Sequence, residues 1–408
     1  MRCKSTLSIF LSAVITASAA PAKASLASSV STEGRLYTDE YSRTALSWPY
    51  SRASVHFQGS SWVTAVLEDS GFDTHNLPAA ISFSAGTVRD YEAEREGGLL
   101  KLTLRNLDPA RAWTAVMTKV DESDDGEVLL HRFEIHEHGS FLDALPLVAT
   151  DRKLEVIGDS IAVGYGNLGN LEDRTMSDIC FPHGCGGKPC QITDASQSFA
   201  ALVGNQLQAA VHVTAWSASG MTNAHFGAVP TIPNVGEFYE WYDGKRRGPA
   251  YDFDAFTPQV IVQAAGLNDF RVSKPAPDIH VWSSVYIQFL KKLTVLYPGV
   301  RIIMLQYPAS ALQAIAGHES ELWLDTPAQY AQYDSYMRQT SAAAQAAGLS
   351  NIVYHKLDEG TGSEVRQHGC VGHPSIAGHK AMAVELIHLL QQLMGWDHVP
   401  HHHPSVSA

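Results

Sequence analysis

The hydrophobic periodicity of this chain changes once, after Pro146, and that change limits the folds open to it. Before it, apolar and polar residues alternate in Val55/Phe57, Val63/Ala65/Leu67, Ile81/Phe83, Leu100/Leu102/Leu104 and Val116/Thr118/Val120. A period of two marks strands with one buried face. Turn formers separate the runs: Gly59-Ser60, Asp69-Ser70-Gly71, Gly97-Gly98 and the stretch 106–109. Residues 33–147 therefore read as an all-β domain, a β-sandwich. The run Asp121-Glu122-Ser123-Asp124-Asp125-Gly126 reads as a solvated hairpin tip. As a calcium loop it would lack the full ligand pattern.

After Pro146, short apolar runs alternate with helical periodicity. Strands are expected at 154–157, 211–215, 260–262, 301–305 and 352–354. Ser196 reads as the N-cap of a helix whose face carries Phe199, Leu202, Val203 and Leu207. Further helices are expected at 325–347, ended by Gly348, and at 376–394. Such alternation implies an α/β domain with a parallel sheet and helices on both faces. The boundary falls near 145–152, with the second domain over 150–396 and a flexible, His-rich tail over 397–408. Histidines clustered as His401-His402-His403 can bind metal, but a terminal tail of this kind is more often unstructured.

The length, 408 residues, suits more than one domain, and 45% hydrophobic residues exclude a disordered chain. A net charge of −13 and the absence of a basic stripe argue against a nucleic-acid partner. Residues 1–24 carry the marks of a secretory signal peptide: a basic start, an apolar stretch over 7–20, and two small-x-small sites, Ala17-Ser18-Ala19 and Ala22-Lys23-Ala24. An uncleaved anchor is the alternative. After cleavage the protein is expected to be soluble, monomeric and either secreted or periplasmic, with no membrane association. Cys3 leaves with the signal, while Cys180, Cys185, Cys190 and Cys370 remain. Four cysteines in an oxidising compartment suggest two disulfides with three possible pairings. A zinc site is the rival, since His183 lies among Cys180-x4-Cys185-x4-Cys190, but that spacing matches no common finger.

The strand at 154–157 runs into Gly158-Asp159-Ser160-Ile161. Ligands of open parallel sheets bind beyond the carboxyl ends of strands. A serine entering a helix there meets backbone N–H groups that favour developing negative charge, as a nucleophile requires. Alone, the tripeptide is an ordinary turn. Three further segments change its meaning: Ser219-Gly220, Gly266-Leu267-Asn268-Asp269 and His373-Pro374-Ser375. Each follows a strand or opens a helix, so all can meet at one crevice. His373 is the candidate base. A glycine lets substrate approach the backbone, and an amide side chain adds a second oxyanion donor. His379 is expected to lie on a helix surface or in the core. Asp159 and Asp269 are expected to hold loop backbone. Phe226, Trp241, Tyr242 and Phe270 are candidates for stacking on a sugar, with packing the more usual role.

In this order the four segments resemble the blocks of the SGNH (GDSL-type) hydrolases, over about 154–394. The resemblance implies Ser160 as nucleophile and His373 as general base. It implies an oxyanion hole from the N–H groups of Ser160 and Gly220 and the side chain of Asn268. It further implies a flavodoxin-like sheet. The segments Gly34-Arg35, Ser47-Trp48-Pro49, Phe57-Gln58-Gly59, Leu67-Glu68-Asp69, Ala215-Trp216-Ser217 and Gly220-Met221, with the run 158–167, resemble carbohydrate esterase family two. That family joins an N-terminal jelly roll to an SGNH domain and removes acetyl groups from polysaccharide. Acetyl-ester hydrolysis on acetylated polysaccharide or oligosaccharide is thus the implied activity, with no metal or organic cofactor. The alternatives are an esterase or lipase on other short esters or bacterial glycans, and a non-catalytic carbohydrate-binding protein whose site has decayed.

One position departs from the pattern. SGNH enzymes usually carry Asp three residues before the histidine, and here that residue is Cys370. The nearest upstream carboxylates are Glu364, Glu359 and Asp358. Some members of family two work with a Ser-His dyad and a backbone carbonyl, which is the arrangement expected here; Glu364 as a surrogate acid is the rival. If all four remaining cysteines are oxidised, Cys370 must pair with the 180–190 insert. Peptide mapping without reductant is expected to find that link, and a free Cys370 thiol would reject it.

Overall fold

A computed structural model of the chain describes residues 22–24, 29–69, 81–148, 150–168, 192–222, 232–243, 248–270, 275–309, 327–358, 369–370 and 373–397. Its first half is two antiparallel sheets. Their strands are β1 (Ala22–Ala24), β2 (Val30–Glu33), β3 (Leu36–Thr38), β4 (Thr44–Leu46), β5 (Arg52–Gln58), β6 (Val63–Asp69), β7 (Ile81–Ala85), β8 (Tyr91–Glu96), β9 (Leu99–Leu104), β10 (Trp113–Lys119), β11 (Val128–Ile135) and β12 (Ser140–Phe141). One sheet runs β3-β4-β11-β6-β9-β8, with β1 on β11; the other runs β12-β5-β10-β7, with β2 on β5.

The inner faces enclose one apolar core that includes Val55, Phe57, Leu67, Phe83, Leu102 and Phe133. On β10 the inward residues are Ala115 and Met117, not the expected Val116 and Thr118. Register decides this. Ala115 pairs with Val55 and Trp113 with Phe57, so the face β10 shares with β5 is the odd-numbered one. The sequence reading also missed β11. Its pairing with β6 shifts between Leu130 and Arg132. The buried set is therefore Val128, Leu130, then Phe133 and Ile135. A bulge of this kind resets the alternation and hides the strand from a period-two search.

The second half holds a five-stranded parallel sheet: β13 (Lys153–Gly158), β14 (Ala210–Ala215), β15 (Val260–Gln263), β16 (Arg301–Gln306) and β17 (Ile352–Lys356). The spatial order β14-β13-β15-β16-β17 reverses between β13 and β15. This is the flavodoxin-like order, whose ligand crevice lies at that reversal. Every residue of β15, and all but the first of β13 and β16, is buried, so both faces are covered. The helices are α1 (Ser160–Val163), α2 (Phe199–Leu207), α3 (Val235–Phe238), α4 (Ile279–Leu296), α5 (Pro327–Ala346) and α6 (Ile376–Met394). α2 packs with α6 and α4 with α5. Ser198, not Ser196, caps α2; Ser196 belongs to a preceding 3-10 turn capped by Asp194. α4 was not anticipated. It is rich in β-branched and aromatic residues, which are poor helix formers, yet Trp282, Tyr286, Phe289, Leu290 and Leu293 make one buried stripe.

The sandwich is fused to the β14 side of this sheet. Glu33 Oε1 accepts the Val211 amide of β14 at 3.0 Å, satisfying an edge-strand donor. Trp48 packs on Trp216 and Phe238. Arg35, 1% exposed, donates to Glu155 Oε1 at 2.7 Å and to the Tyr239 carbonyl at 2.6 Å, between the Tyr239 and Tyr251 rings. Burial pulls the Arg35 pKa down, but Glu155 and the tyrosines outweigh it and the net shift is upward.

The run 121–126 is not a solvated tip. Asp121, Glu122 and Ser123 are buried, and only Asp124 and Asp125 face solvent. The fully buried Lys119 holds the run from beneath, its Nζ 2.5 Å from Asp121 Oδ1 and 2.6 Å from the Glu122 carbonyl. The Val120 carbonyl accepts the Ala195 amide of the second domain. A run of acids looked solvated because the contacts that bury it come from the other half of the chain.

Arg35→Ala would leave Glu155 buried without its cation. The expected cost is about 3–5 kcal/mol, read as a lower urea midpoint; an unchanged midpoint would show that the pair does not weld the two halves.

Candidate active site

Three strands deliver the site at the reversal of sheet order. β13 ends at Gly158, and Asp159 caps α1 by accepting the Ile161 amide on Oδ1 at 3.1 Å. Ser160 is the first residue of α1 and is 5% exposed. His373 precedes α6, which Ser375 caps. Its Nε2 lies 2.8 Å from Ser160 Oγ, and the residue is 2% exposed. The structure thus brings together two residues 213 apart in sequence.

The His373 loop is docked by backbone onto the loop that follows α1. The Cys370 amide donates to the Gly166 carbonyl at 2.7 Å, and the Ile376 amide to the Asn167 carbonyl at 3.2 Å. A Cβ on Gly369 would stand 2.1 Å from the Gly166 carbonyl oxygen, and one on Gly166 would stand 2.5 Å from the Cys370 carbonyl oxygen. Only glycines permit that approach. Gly369 was missed by sequence reasoning, because its partner is two hundred residues away. Tyr165 sets its ring edge-on to His373 with centroids 4.9 Å apart.

Gly220 follows β14. Ala218, two residues earlier, holds φ at +64°, a left-handed conformation that costs a non-glycine roughly 1–2 kcal/mol. The turn is held by Asp269. Its Oδ2 accepts the Met221 amide at 2.7 Å and the Trp282 indole N–H at 2.8 Å. Its Oδ1 accepts the Thr222 amide at 3.0 Å and the Thr222 hydroxyl at 2.8 Å. Asn268, after β15, donates Nδ2 to the Ser219 carbonyl at 2.9 Å and to Asp159 Oδ2 at 3.2 Å. Both aspartates therefore organise loop backbone, as anticipated. The amides of Ser160 and Gly220 make no hydrogen bond among the described residues.

Other candidates resolve differently. Phe270 is 1% exposed and packed among Trp282, Tyr333 and Tyr336, so it is core. Tyr242 packs on Tyr37 and Tyr251, and Trp241 is half-buried. His379 is a core residue whose Nδ1 accepts the Phe199 amide at 3.1 Å. Burial first, then the neighbouring His373, lowers its pKa to about 3, so it stays neutral. Phe226, His183, Cys180, Cys185, Cys190, Glu359, Glu364 and His401 to His403 lie outside the described residues. Among the described residues, His136, Glu137 and His138 bring ligand atoms within 4.8 Å of one another. They are consecutive in a turn where His136 Nδ1 already accepts the His138 amide. Among the described residues no helix is long and apolar enough to cross a membrane.

The reversed parallel sheet, with its loops gathered around a buried serine and imidazole, is that of a carboxylic ester hydrolase with an SGNH-type domain. The chain belongs to the GDSL-like Lipase/Acylhydrolase family, whose profile matches residues 156–381, more than half of its length. It is 25% identical over 342 residues to the "Cellulase/esterase CelE" of Acetivibrio thermocellus, covering 83% of this chain and 35% of that protein. It is 25% identical over 250 residues to an "Acetylxylan esterase / glucomannan deacetylase" of Cellvibrio japonicus, covering 61% of this chain and 59% of that protein. The chain thus matches less than two thirds of either relative's length. In fold it is similar to a family two carbohydrate esterase from Clostridium thermocellum solved with cellohexaose, with a TM-score of 0.73, 22% identity, and coverage of 90% of this chain and 100% of that one. It is also similar to a family two carbohydrate esterase from Cellvibrio japonicus, with a TM-score of 0.72, 20% identity, and coverage of 92% and 98%.

Asp269→Asn replaces one of the acceptor oxygens that hold the Gly220 turn with a donor. The expected result is a fall in kcat of about 10²-fold, the scale of a lost oxyanion donor, with KM changed much less. Full activity in a folded variant would mean that Asp269 does not set the turn.

Proposed function

We propose that this protein is an exported serine esterase that removes acetyl groups from polysaccharide through a Ser160–His373 centre and an acyl-enzyme. The observation that carries the reading is the 2.8 Å contact between His373 Nε2 and Ser160 Oγ, in a site where both are buried. In this mechanism Ser160 Oγ attacks the acetyl carbonyl while Nε2 takes its proton. The tetrahedral oxyanion is held by the amides of Ser160 and Gly220, which are uncommitted among the described residues. The sugar oxygen leaves with the proton from Nε2, and acetate remains esterified to Ser160. Water then repeats the sequence and frees acetate.

Asn268 is assigned as the third oxyanion donor. Its two amide hydrogens are directed to Ser219 and Asp159, so donation to substrate exchanges the longer bond, 3.2 Å to Asp159. That exchange is chemically reasonable, because the Asp159 carboxylate keeps the Ile161 amide. For the third member of the triad we hold to the dyad, with a backbone carbonyl serving the imidazole.

The acetylated-polysaccharide substrate is supported by the names of the matched relatives, an acetylxylan esterase / glucomannan deacetylase among them, and by the cellohexaose bound to a structural neighbour. Export is supported by residues 1–24. Of the two cleavage motifs, the one ending at Ala19 would keep β1, whose Ala22–Ala24 pair with Phe133–Ile135; N-terminal sequencing of exported protein decides between them. A disulfide from Cys370 to the 180–190 insert fits the full burial of Cys370. It would clamp the His373 loop.

The decisive measurement is acetate release from acetylated xylan and glucomannan by the wild type, Ser160→Ala and Glu364→Gln. Release by the wild type and Glu364→Gln but not by Ser160→Ala is expected. Loss in Glu364→Gln would replace the dyad with a triad. No release by any folded form, with polysaccharide still bound, would favour the non-catalytic binding protein.

A further inference from the structure

The two bonds that hang the His373 loop on the turn after α1 end on consecutive carbonyls, those of Gly166 and Asn167. That turn lies outside any strand or helix. Whatever fixes those two peptides therefore fixes the histidine loop over Ser160. The Asn167 side chain is placed to do so. The residue is 1% exposed. Its Nδ2 donates to the Asp194 carbonyl at 2.8 Å, and its Oδ1 accepts the Asp194 amide at 2.9 Å. One carboxamide thus meets both backbone groups of a single residue, as a neighbouring strand would. The contact continues on either side. The Gly166 amide donates to Thr193 Oγ1 at 3.3 Å, and the Leu168 amide to the Ile192 carbonyl at 3.1 Å.

Through its backbone Asn167 also reaches the nucleophile. Its amide donates to the Gly164 carbonyl at 3.2 Å, and the Gly164 amide donates to the Ser160 carbonyl at 3.1 Å. Gly164 caps the end of α1 with φ at +90°, and a Cβ there would stand 2.8 Å from Asn167 Nδ2. A glycine is what lets the carboxamide lie against the helix end. The receiving segment is itself held. Asp194 caps the 3-10 turn Ala195–Gln197 with its carboxylate, and the Ala195 amide donates to the Val120 carbonyl of the sandwich at 2.8 Å. Three parts meet at Asn167: the end of the nucleophile's helix, the root of the base's loop, and the segment that the sandwich touches.

We propose that Asn167 is a positioning residue for His373, its carboxamide setting the Gly166 and Asn167 carbonyls from which the histidine loop hangs. The proposal rests on Ser160 and His373 acting as base and nucleophile in one centre. The carboxamide bonds to Asp194, not to Ser160 or His373, so it acts through backbone. Asparagine suits the place because its short side chain offers a donor and an acceptor in one plane. Both are taken by a backbone pair that would otherwise be left unsatisfied. A base must lie within hydrogen-bond reach of the proton it takes, and a misplacement of about 1 Å can cost about 10²-fold in rate.

The test is the turnover of p-nitrophenyl acetate, a small acetyl ester, by the full chain well below its melting transition. Asn167→Ala removes both bonds to Asp194. Its kcat is expected to fall about 10²-fold, with KM little changed. Asn167→Asp keeps the acceptor, and its protonated form regains the donor. Rates are taken relative to the wild type at the same pH, so that the titration of His373 cancels. On that scale Asn167→Asp should exceed Asn167→Ala and approach the wild type as pH falls from about 8 to about 5. A loss of packing alone would show no such recovery. If Asn167→Ala does not fold, Thr193→Val takes its place. It removes the acceptor of the Gly166 amide and should lower kcat about tenfold, the scale of one hydrogen bond. Wild-type kcat in the folded Asn167→Ala, or in Thr193→Val where that variant stands in, overturns the proposal. So does a change confined to KM, or an Asn167→Asp no faster than Asn167→Ala at any pH. Each of these leaves the Ser160–His373 reading intact. Wild-type turnover in Ser160→Ala overturns that reading, and the proposal with it.

Discussion

A guanidinium with almost no solvent contact holds this molecule together. Arg35 enters from the sandwich and spends its charge on Glu155, a residue in the middle of β13 in the parallel sheet. Neither charge is tolerable alone in that position. Glu155 in turn receives the Tyr239 and Thr214 hydroxyls, and the Arg35 plane lies between the Tyr239 and Tyr251 rings. The pair therefore commits the two domains to one arrangement. A hydrophobic contact would allow sliding; a cation bonded to two separate acceptors and held between two rings does not. The bond from the Ala195 amide to the Val120 carbonyl depends on the same register.

Within the hydrolase half, charge has been placed to hold loops rather than to react. Asp269 gathers four donors from the Gly220 turn and from α4, and Asp159 closes the first turn of α1 while meeting Asn268. Each carboxylate accepting several N–H groups is worth more than the sum of neutral contacts, because charged hydrogen bonds are about twice as strong. Strain is placed nearby: Ala218 sits in a left-handed conformation between β14 and Gly220. A conformation that costs energy persists where its surroundings over-determine it, and the Asp269 network supplies that determination.

How much of this was legible in the sequence follows from the range of each interaction. The strands of the parallel sheet were legible because they are short, apolar and buried on both faces, so nothing outside them alters their signal. The α6 boundaries, Ile376–Met394, match those read from the sequence, while the Ser375 cap was not read there. The four site blocks were legible because each is a local motif at the end of a strand or the opening of a helix. What was hidden required a partner elsewhere in the chain. The bulge at Leu130 and Arg132 is defined only against β6, and the inward face of β10 only against β5. The Gly166–Gly369 contact joins loops far apart in sequence. Glu122 is the sharpest case, since five polar residues in a row read as solvated until a second domain covers them.

The missing acid before His373 belongs to the same logic. A triad carboxylate does two things for its histidine: it fixes the ring and it stabilises the imidazolium. Here the fixing is distributed. The His373 amide donates to the Cys370 carbonyl, the His373 carbonyl accepts the Gly369 amide, the whole loop is locked to Gly166 and Asn167, and Tyr165 abuts the ring. Backbone and packing thus hold the ring where position 370 carries a buried cysteine rather than an acid. What backbone alone supplies poorly is stabilisation of positive charge.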